Sequence, residues 1–385
     1  MRIAVLGAGK QGVACAADVL RETDVKEVLL ADSSRERLAA ATDVLRNPRL
    51  RIHEVDASDE TALVATLRGH SAVASAVPYF LNLGVTRAAI RAGCSMTDMG
   101  GNTDVVFLQR SLDAEARAAG VTIVPDLGLA PGLGNILASR AIEGMDEVDS
   151  VKIRCGGLPL DPEPPLGYAL FFSIHGLLNE YAGESVCLRD GQIARIPTLT
   201  ESEWIEFPEP VGICKAVHTS GGSSTLPWTL EGRVRHLDYK TVRYPGHWPR
   251  IRFLKELGLL ETQPVRVGRV TLPPREIAAS LLEPVLDRPE TRDIVVLRVT
   301  ARGNRNGVET TRRFDLLEIG EPHPGPTAMM KLTAYPTAAV ALALARGRIR
   351  GAGVVAAETA VDAEEMIAHL ASREIKVTRT ETTRT

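Results

Sequence analysis

The hexapeptide Gly7-Ala8-Gly9-Lys10-Gln11-Gly12 constrains this chain more than any other feature. It follows a short apolar run at 2–6 and opens a stretch with helical periodicity, the setting in which a Gly-x-Gly-x-x-Gly turn ends a strand and starts a helix. Gly7 permits the tight turn, Gly9 lets backbone approach a pyrophosphate, and Gly12 lets the helix pack close on the strand. Backbone N–H groups and the positive end of the helix dipole then face the phosphates. Asp32 ends the next apolar run, about twenty residues past Gly12, where a carboxylate accepts hydrogen bonds from adenosine ribose hydroxyls. The same negative charge repels a ribose 2′-phosphate, so the reading is NAD rather than NADP. Arg35, able to pair with such a phosphate, is read instead as a residue of the following helix.

Around this motif, short runs rich in Val, Ile, Leu and Ala recur at 2–6, 27–31, 50–55, 72–76, 95–98 and 121–124. Helical stretches fall between them near 10–22, 34–46, 59–68, 81–92 and 104–119. Strands without polar alternation suit a parallel sheet covered on both faces. The expectation is a Rossmann-type, doubly wound α/β domain over 1–125. Ligands in such sheets sit beyond the carboxyl ends of the strands. That rim holds Lys10 and Gln11 of the turn, Asp32 with Ser33, Asp56 with Ala57, and Ala76-Val77-Pro78. Asp56 reads equally as an acceptor for the adenine amino group or as a cap for the helix near Asp59.

The rhythm breaks at Pro125-Asp126-Leu127-Gly128-Leu129-Ala130-Pro131-Gly132, where prolines and glycines mark a crossover. Longer strands follow, near 150–155, 184–189, 232–243, 293–302 and 308–319, with helices near 173–181, 248–258 and 273–286. Residues 126–330 therefore read as an α+β catalytic domain on a mostly antiparallel sheet. The turn-rich stretch 320–336 leads to a helix near 337–345, part of a segment over 331–375 expected to return to the first domain. A tail follows at 376–385, and its wholly polar part, 378–385, is expected to fray.

Composition excludes several functions. A formal net charge of −3 gives no reason to expect nucleic acid or an anionic membrane as partner. The longest apolar run, 338–345, is far short of the ~20 residues of a membrane span. Five cysteines without a Cys-x-x-Cys pair argue against a zinc ribbon or disulfide framework and suit a reducing cytoplasm. No metal site is expected, and neither a G-x-S-x-G elbow nor an HExxH helix is present, which disfavours hydrolases.

In the second domain, His175 and Asn179 are spaced i, i+4 on one helix, as a structural pair or as site residues. Lys240-Thr241-Val242-Arg243-Tyr244-Pro245-Gly246-His247 ends a long strand in a turn. It offers a guanidinium fork for a carboxylate and an imidazole for proton transfer. Lys215 and His218 are weaker candidates.

These segments together resemble the saccharopine dehydrogenase-like family, and within it the lysine 6-dehydrogenase group. The resemblance rests on GAGKQG at 7–12, Ala76-Val77-Pro78 with Asn82, and Asp98-Met99-Gly100-Gly101. It continues through DLGLAPGLGN at 126–135, CGGLP at 155–159, PLGY at 165–168, GLLNEY at 176–181 and KTVRYPGH at 240–247. It implies a Rossmann domain, an inserted α+β catalytic domain and a returning C-terminal helix. It also implies oxidation of an amine carbon on an amino acid or polyamine with electrons passing to NAD, in a homo-oligomer. Lysine 6-dehydrogenase-like deamination to the semialdehyde is the first expectation. A saccharopine- or carboxynorspermidine-type reductase joining an amine to a keto acid or aldehyde is the alternative, and a non-catalytic NAD-binding sensor is the rival of another class. Arg243 is the expected carboxylate clamp. His247 or His175 is the expected base, with Asp126 and Glu180 as alternatives, and Tyr168, Tyr244, Asn179 and Asp126 are expected around the substrate.

Overall fold

The computed structural model describes residues 1–384. It divides into two compact units: Met1–Arg140 with Met330–Glu374, and Ala141–Met329 with the chain from Ile375 on.

In the first unit, β1 (Arg2–Leu6), β2 (Glu27–Asp32), β3 (Leu50–Glu54), β4 (Ala72–Ser75), β5 (Ser95–Asp98) and β6 (Thr122–Val124) form a parallel sheet. The order is β3-β2-β1-β4-β5-β6, with the short strand Gly353–Val354 added beside β6. Ile3, Ala4, Val5, Val73 and Ala74 are fully buried, which explains their lack of polar alternation. Burying each larger apolar side chain stabilises the fold by about 1.5–3 kcal/mol. Strand order reverses between β1 and β4, so the glycine turn after β1 stands at the topological switch point.

The single helix expected at 104–119 is two, Thr103–Arg110 and Asp113–Ala119. The Asn102 side chain caps the first by accepting from the Val105 amide. A buried charge cluster staples the helix Ala363–Ala371 and its end to Lys10–Val19: the Asp18 carboxylate, 0% exposed, accepts from His369 Nε2 at 2.8 Å and Arg373 Nε at 2.7 Å.

The helix expected to begin near 337 begins at Ala328 and runs to Ala345 through Pro336. Its start is fixed from afar, because the Asp293 carboxylate accepts from the amides of Ala328 and Met329 at 2.6 and 2.7 Å. Past Pro336, the Thr337 hydroxyl donates to the carbonyls of Thr333 and Leu127. In length and composition this helix also matches a membrane span, and 61% of it is buried inside the protein.

The second unit is built on a nine-stranded sheet. Its central strand Glu147–Pro159 pairs parallel with Val234–Arg243 and antiparallel with Asp293–Arg305. The remaining pairs are antiparallel. Three strands within this sheet were not anticipated, Gln192–Pro197, Glu203–Phe207 and Gly212–His218, nor was the separate hairpin of Val265–Val267 with Val270–Leu272. The first closes a hairpin on Glu184–Arg189 through Asp190 and Gly191, both at positive φ. The tail also departs from expectation. Val377–Arg384 is a strand, paired from Val377 to Arg384 with Val308–Ile319. Backbone pairing needs no apolar side chains, so a Thr- and Arg-rich strand on a sheet edge escapes a hydrophobicity reading.

Candidate active site

The first unit holds the glycine turn that the sequence offers as a phosphate site. Gly7 has φ +95°, and a Cβ there would lie 2.7 Å from the Ala76 carbonyl oxygen. A Cβ on Gly12 would lie 1.8 Å from the Gly7 oxygen. Both glycines are therefore required by the fold itself. Gly9 is different: its φ is an ordinary −76°, and a Cβ there would meet no atom within 4 Å. The space beside Gly9 is open for a ligand. Gly9 also begins the helix Lys10–Val19, which has no side-chain cap and no acid in its first turn, so its leading N–H groups are open to an anion. Lys10 is exposed and Gln11 half-buried, with Gln11 Oε1 buried and without a hydrogen-bond partner among the described residues. These features fit a dinucleotide pyrophosphate.

Asp32, 9% exposed, accepts from the Ala8 amide at Oδ2 (2.7 Å) and the Ser34 amide at Oδ1 (2.8 Å). Two oxygens carry about four acceptor positions, so acceptor capacity remains for a ribose. Ser33 is exposed beside it. Arg35 is ion-paired with Glu54, and Arg37 Nη1 lies 4.0 Å from Asp32. The even choice at Asp56 resolves against capping, since Asp59 caps the next helix through the Thr61 and Ala62 amides. Asp56 is exposed, and the Ser58 amide and hydroxyl hold its carboxyl below the usual range. Ala57, Ala76 and Val77 are half-buried and Pro78 exposed. Asn82 is buried, its Oδ1 accepting from the Ser75 hydroxyl at the end of β4.

Asp126, expected at the substrate, lies in the first unit, at φ +60° and 3% exposed. Its Oδ1 accepts from the Gly101 amide, while Asp98 accepts from the Asp126 and Gly100 amides and from Gln109. Burial raises the Asp98 carboxyl. A Cβ on Gly100 would sit 1.5 Å from Asp126 Oδ1. The two aspartates thus lace the loops after β5 and β6 together.

In the second unit, four expected or alternative residues meet around one guanidinium. Arg243 ends Val234–Arg243 with its side chain 3% exposed. Tyr168 presents its ring face 4.6 Å from the guanidinium carbon, and Trp248 lies at 6.0 Å. Nη1 donates to the Val242 carbonyl at 3.0 Å, and Nη2 makes a long contact of 3.4 Å with Glu180 Oε2. Arg243 Nε and the Tyr168 hydroxyl are buried without hydrogen-bond partners among the described residues. The Nε–Nη2 edge is therefore the incompletely filled side of a planar fork, the side that takes a carboxylate bidentately. Desolvation opposes the cation, yet Tyr181, Tyr168 and Glu180 together keep it protonated. Glu180 is 28% exposed, and desolvation raises its carboxyl while Arg243 pulls the other way.

His247 also belongs to this cluster. It is 1% exposed, Nδ1 lies 3.1 Å from the Leu166 carbonyl oxygen, and Nε2 lies 3.1 Å from the Tyr181 hydroxyl. Burial, and then the Arg243 charge, push its pKa down to about 3. So weak a base, with both ring nitrogens engaged, is poorly suited to deprotonate an amine. His175 is exposed and lies 4.0 Å from Glu276, outside the Arg243 cluster. Asn179 is half-buried, its carbonyl accepting from the Ser220 hydroxyl. Tyr244 packs beside the apolar cluster of Leu158, Val242 and Ile294, and desolvation pushes its phenol up to about 12. His218 is fully buried between Ser185 and Glu201, and Lys215 lies over the Trp204 ring. The structure brings Glu180, expected only as an alternative, to this cluster, together with Tyr181 and Trp248, which sequence reasoning did not single out. The available signal was their adjacency to Asn179 and His247 in the two segments already singled out. Among the described residues, no group of three or more His, Cys, Asp or Glu is placed to hold a metal.

Comparisons with known proteins bear on this arrangement. Residues 3–124 match the family described as saccharopine dehydrogenase NADP binding domain, and residues 128–375 the saccharopine dehydrogenase C-terminal domain. The chain is 26% identical over 217 residues to saccharopine dehydrogenase [NADP(+), L-glutamate-forming] of Saccharomyces cerevisiae, covering 54% of this chain and 48% of that protein. It is 27% identical over 271 residues to mitochondrial alpha-aminoadipic semialdehyde synthase of Bos taurus, covering 67% of this chain and 28% of that one. The chain spans about half the length of the fungal relatives it matches, at 48%, 60% and 49%. The solved saccharopine dehydrogenase (L-Glu forming) of Saccharomyces cerevisiae superposes with a TM-score of 0.80 at 20% identity, over 99% of both chains. A homospermidine synthase from Legionella pneumophila in complex with NAD gives 0.69 at 12% identity, over 99% of this chain and 91% of that one. At these identities the likeness shows the fold.

Proposed function

The chain belongs to the saccharopine dehydrogenase family, and on that premise we propose that it oxidises the amine carbon of an amino acid with one free α-carboxylate, using NAD. The observation that carries the reading is the buried, unpartnered Nε of Arg243 beside an Nη2 that makes only a long contact with Glu180. One buried cation and one adjacent carboxyl suit a substrate with one carboxylate and a second, basic amine, as in lysine. A bound NAD supplies the two-electron acceptor.

Arg243 holds the substrate carboxylate on its unfilled edge. Glu180, raised by desolvation, accepts a proton from the substrate ammonium at a carboxylate oxygen, because the amine must be neutral before its carbon is oxidised. The buried face of Tyr168 keeps water from the far side of the guanidinium. The balanced reaction is R–CH2–NH3+ with NAD+ and water giving R–CHO, NH4+, NADH and a proton, a lysine 6-dehydrogenase-like deamination. NAD is favoured over NADP because the nearly buried Asp32 carboxylate would accept from ribose hydroxyls and repel a 2′-phosphate, while Arg35 pairs with Glu54 at the surface.

A second reading, saccharopine-type joining of an amine to a keto acid, is favoured by the family match and the fungal relatives. One assay separates them. Lysine with NAD is expected to yield NADH and ammonia in equal amounts. Consumption of NADH only when lysine and a keto acid are both present selects the second reading. An Arg243→Met variant with wild-type kcat/KM on the best substrate would overturn the carboxylate assignment.

A further inference from the structure

We propose that His247 is a positioning residue: it fixes the hydroxyl of Tyr181 so that the phenolic oxygen, and not its hydrogen, is turned to Arg243, which keeps the guanidinium in place with Nε left for the substrate carboxylate. This inference rests on the reading that Arg243 binds that carboxylate.

The hydrogen-bond arithmetic leaves one arrangement. The Leu166 carbonyl only accepts, so His247 Nδ1, 3.1 Å away, must carry a hydrogen. In a neutral imidazole Nε2 is then an acceptor, and its partner at 3.1 Å, the Tyr181 hydroxyl, must donate. With its hydrogen spent on His247, the Tyr181 oxygen has only lone pairs to offer elsewhere, and Arg243 is the donor that meets it. A protonated imidazole would reverse this. Nε2 would donate, and the hydroxyl hydrogen of Tyr181 would turn toward a cation.

The surroundings enforce the neutral form. His247 is 1% exposed, and the charged groups acting on it, Arg243 and Arg250, are both cations. Rings of Tyr168, Tyr181 and Trp248 meet the imidazole edge-on with centroids at 5.6, 5.9 and 5.0 Å, which fixes its plane. Glu180, the group's carboxyl neighbour, contacts Arg243. The segment that supplies Leu166 also supplies Tyr168, so one short loop holds both the imidazole and the ring beneath the guanidinium. None of these contacts consumes Arg243 Nε, the donor left for substrate.

Two measurements test this. First, steady-state kinetics compare the best amino-acid substrate with the same amine lacking its carboxylate, in wild type, Tyr181→Phe, His247→Phe, His247→Gln and the Tyr181→Phe/His247→Phe double variant. Tyr181→Phe and His247→Phe are expected to raise KM for the carboxylate-bearing substrate by about tenfold, with little change in kcat. The double variant should be no worse than either single one. The decarboxylated amine should be handled as by wild type. His247→Gln, whose amide oxygen can accept from Tyr181, should recover part of the loss. Equal losses on both substrates would mean a merely structural role and overturn the proposal, as would no loss on either. Tyr181→Phe removes a single hydroxyl, so it stands as the test where His247→Phe fails to fold. Second, 15N NMR of the His247 ring should show the Nδ1–H tautomer, and the Nε2–H form would overturn the proposal directly. Arg243→Met separates the two levels. If it leaves KM unchanged, the carboxylate reading falls and takes this inference with it. If it raises KM while the Tyr181 and His247 variants do not, only this inference falls.

Discussion

At the end of β2 the Asp32 carboxylate accepts the Ala8 and Ser34 amides whether or not a ribose is present. Removing it therefore changes both cofactor choice and loop stability. Asp32→Ser is expected to lower kcat/KM for NAD by about tenfold or more while raising the NADP/NAD ratio, and to cost about 1–3 kcal/mol as two amides lose their acceptor. Kinetics with both dinucleotides and a melting curve check it; an unchanged ratio would remove the basis for preferring NAD. At Glu180 the sign of the pH effect is set by its role. A base works when deprotonated, so kcat/KM should rise with pH through a carboxyl raised above its usual value. Glu180→Gln should abolish that rise and lower kcat about a hundredfold. An unaltered profile would exclude Glu180 as the base. The individual residues were unevenly legible in the sequence. Glycine positions and Asp32 follow from chemistry that every dinucleotide turn shares. By contrast, the proposed choice of Glu180 over His247 as base turns on burial and the neighbouring Arg243, which no spacing rule reports.

Among the elements, the glycine turn offers a contrast between two residues three apart. Gly12 is packed against the Gly7 carbonyl, so Gly12→Ala is expected to destabilise the first unit by several kcal/mol, roughly the range of overpacked core substitutions. Gly9 has an ordinary φ and open space, so Gly9→Ala should melt like wild type yet bind the dinucleotide at least about tenfold more weakly. Melting temperature and NADH fluorescence titration, read together, test both. A Gly9 variant that binds normally would show that the phosphates do not lie there. Strands β1, β4 and β6 were legible because strands buried on both faces are continuous apolar runs, whereas β3 is exposed beyond Leu50 and the short strand Gly353–Val354 carries no such run. What escaped were elements defined by distant partners. The helix starting at Ala328 is anchored by Asp293, 35 residues earlier in sequence. The strand Val377–Arg384 exists because Val308–Ile319 offers it an edge. Local pattern carries neither fact.

For the molecule as a whole, acid sensitivity follows from the buried histidines. His247, His218 and His70 are 1%, 0% and 9% exposed, and burial is the first cause lowering the pKa of each. An unfolded histidine takes up its proton near pH 6.5, whereas His247 resists until about 3. Between those values the unfolded state binds more protons, so the stability these residues contribute is complete above about pH 6.5 and is lost as pH falls. Asp98 and Glu180 act oppositely: their raised carboxyls take up protons before the unfolded chain does, and so soften the loss. The carboxylates held low by arginines, such as Asp238 and Glu203, add to the loss only below about pH 4.5. The contribution of His247 can be isolated from these others. At about 1.4 kcal/mol per pH unit, it alone should remove about 2 kcal/mol between pH 6.5 and 5. Urea unfolding at pH 7 and pH 5 should therefore show a difference smaller by about that amount in His247→Gln than in wild type. Equal differences in the two proteins would mean that the imidazole is already protonated in the fold, and with it the orientation of Tyr181 toward Arg243 would be lost.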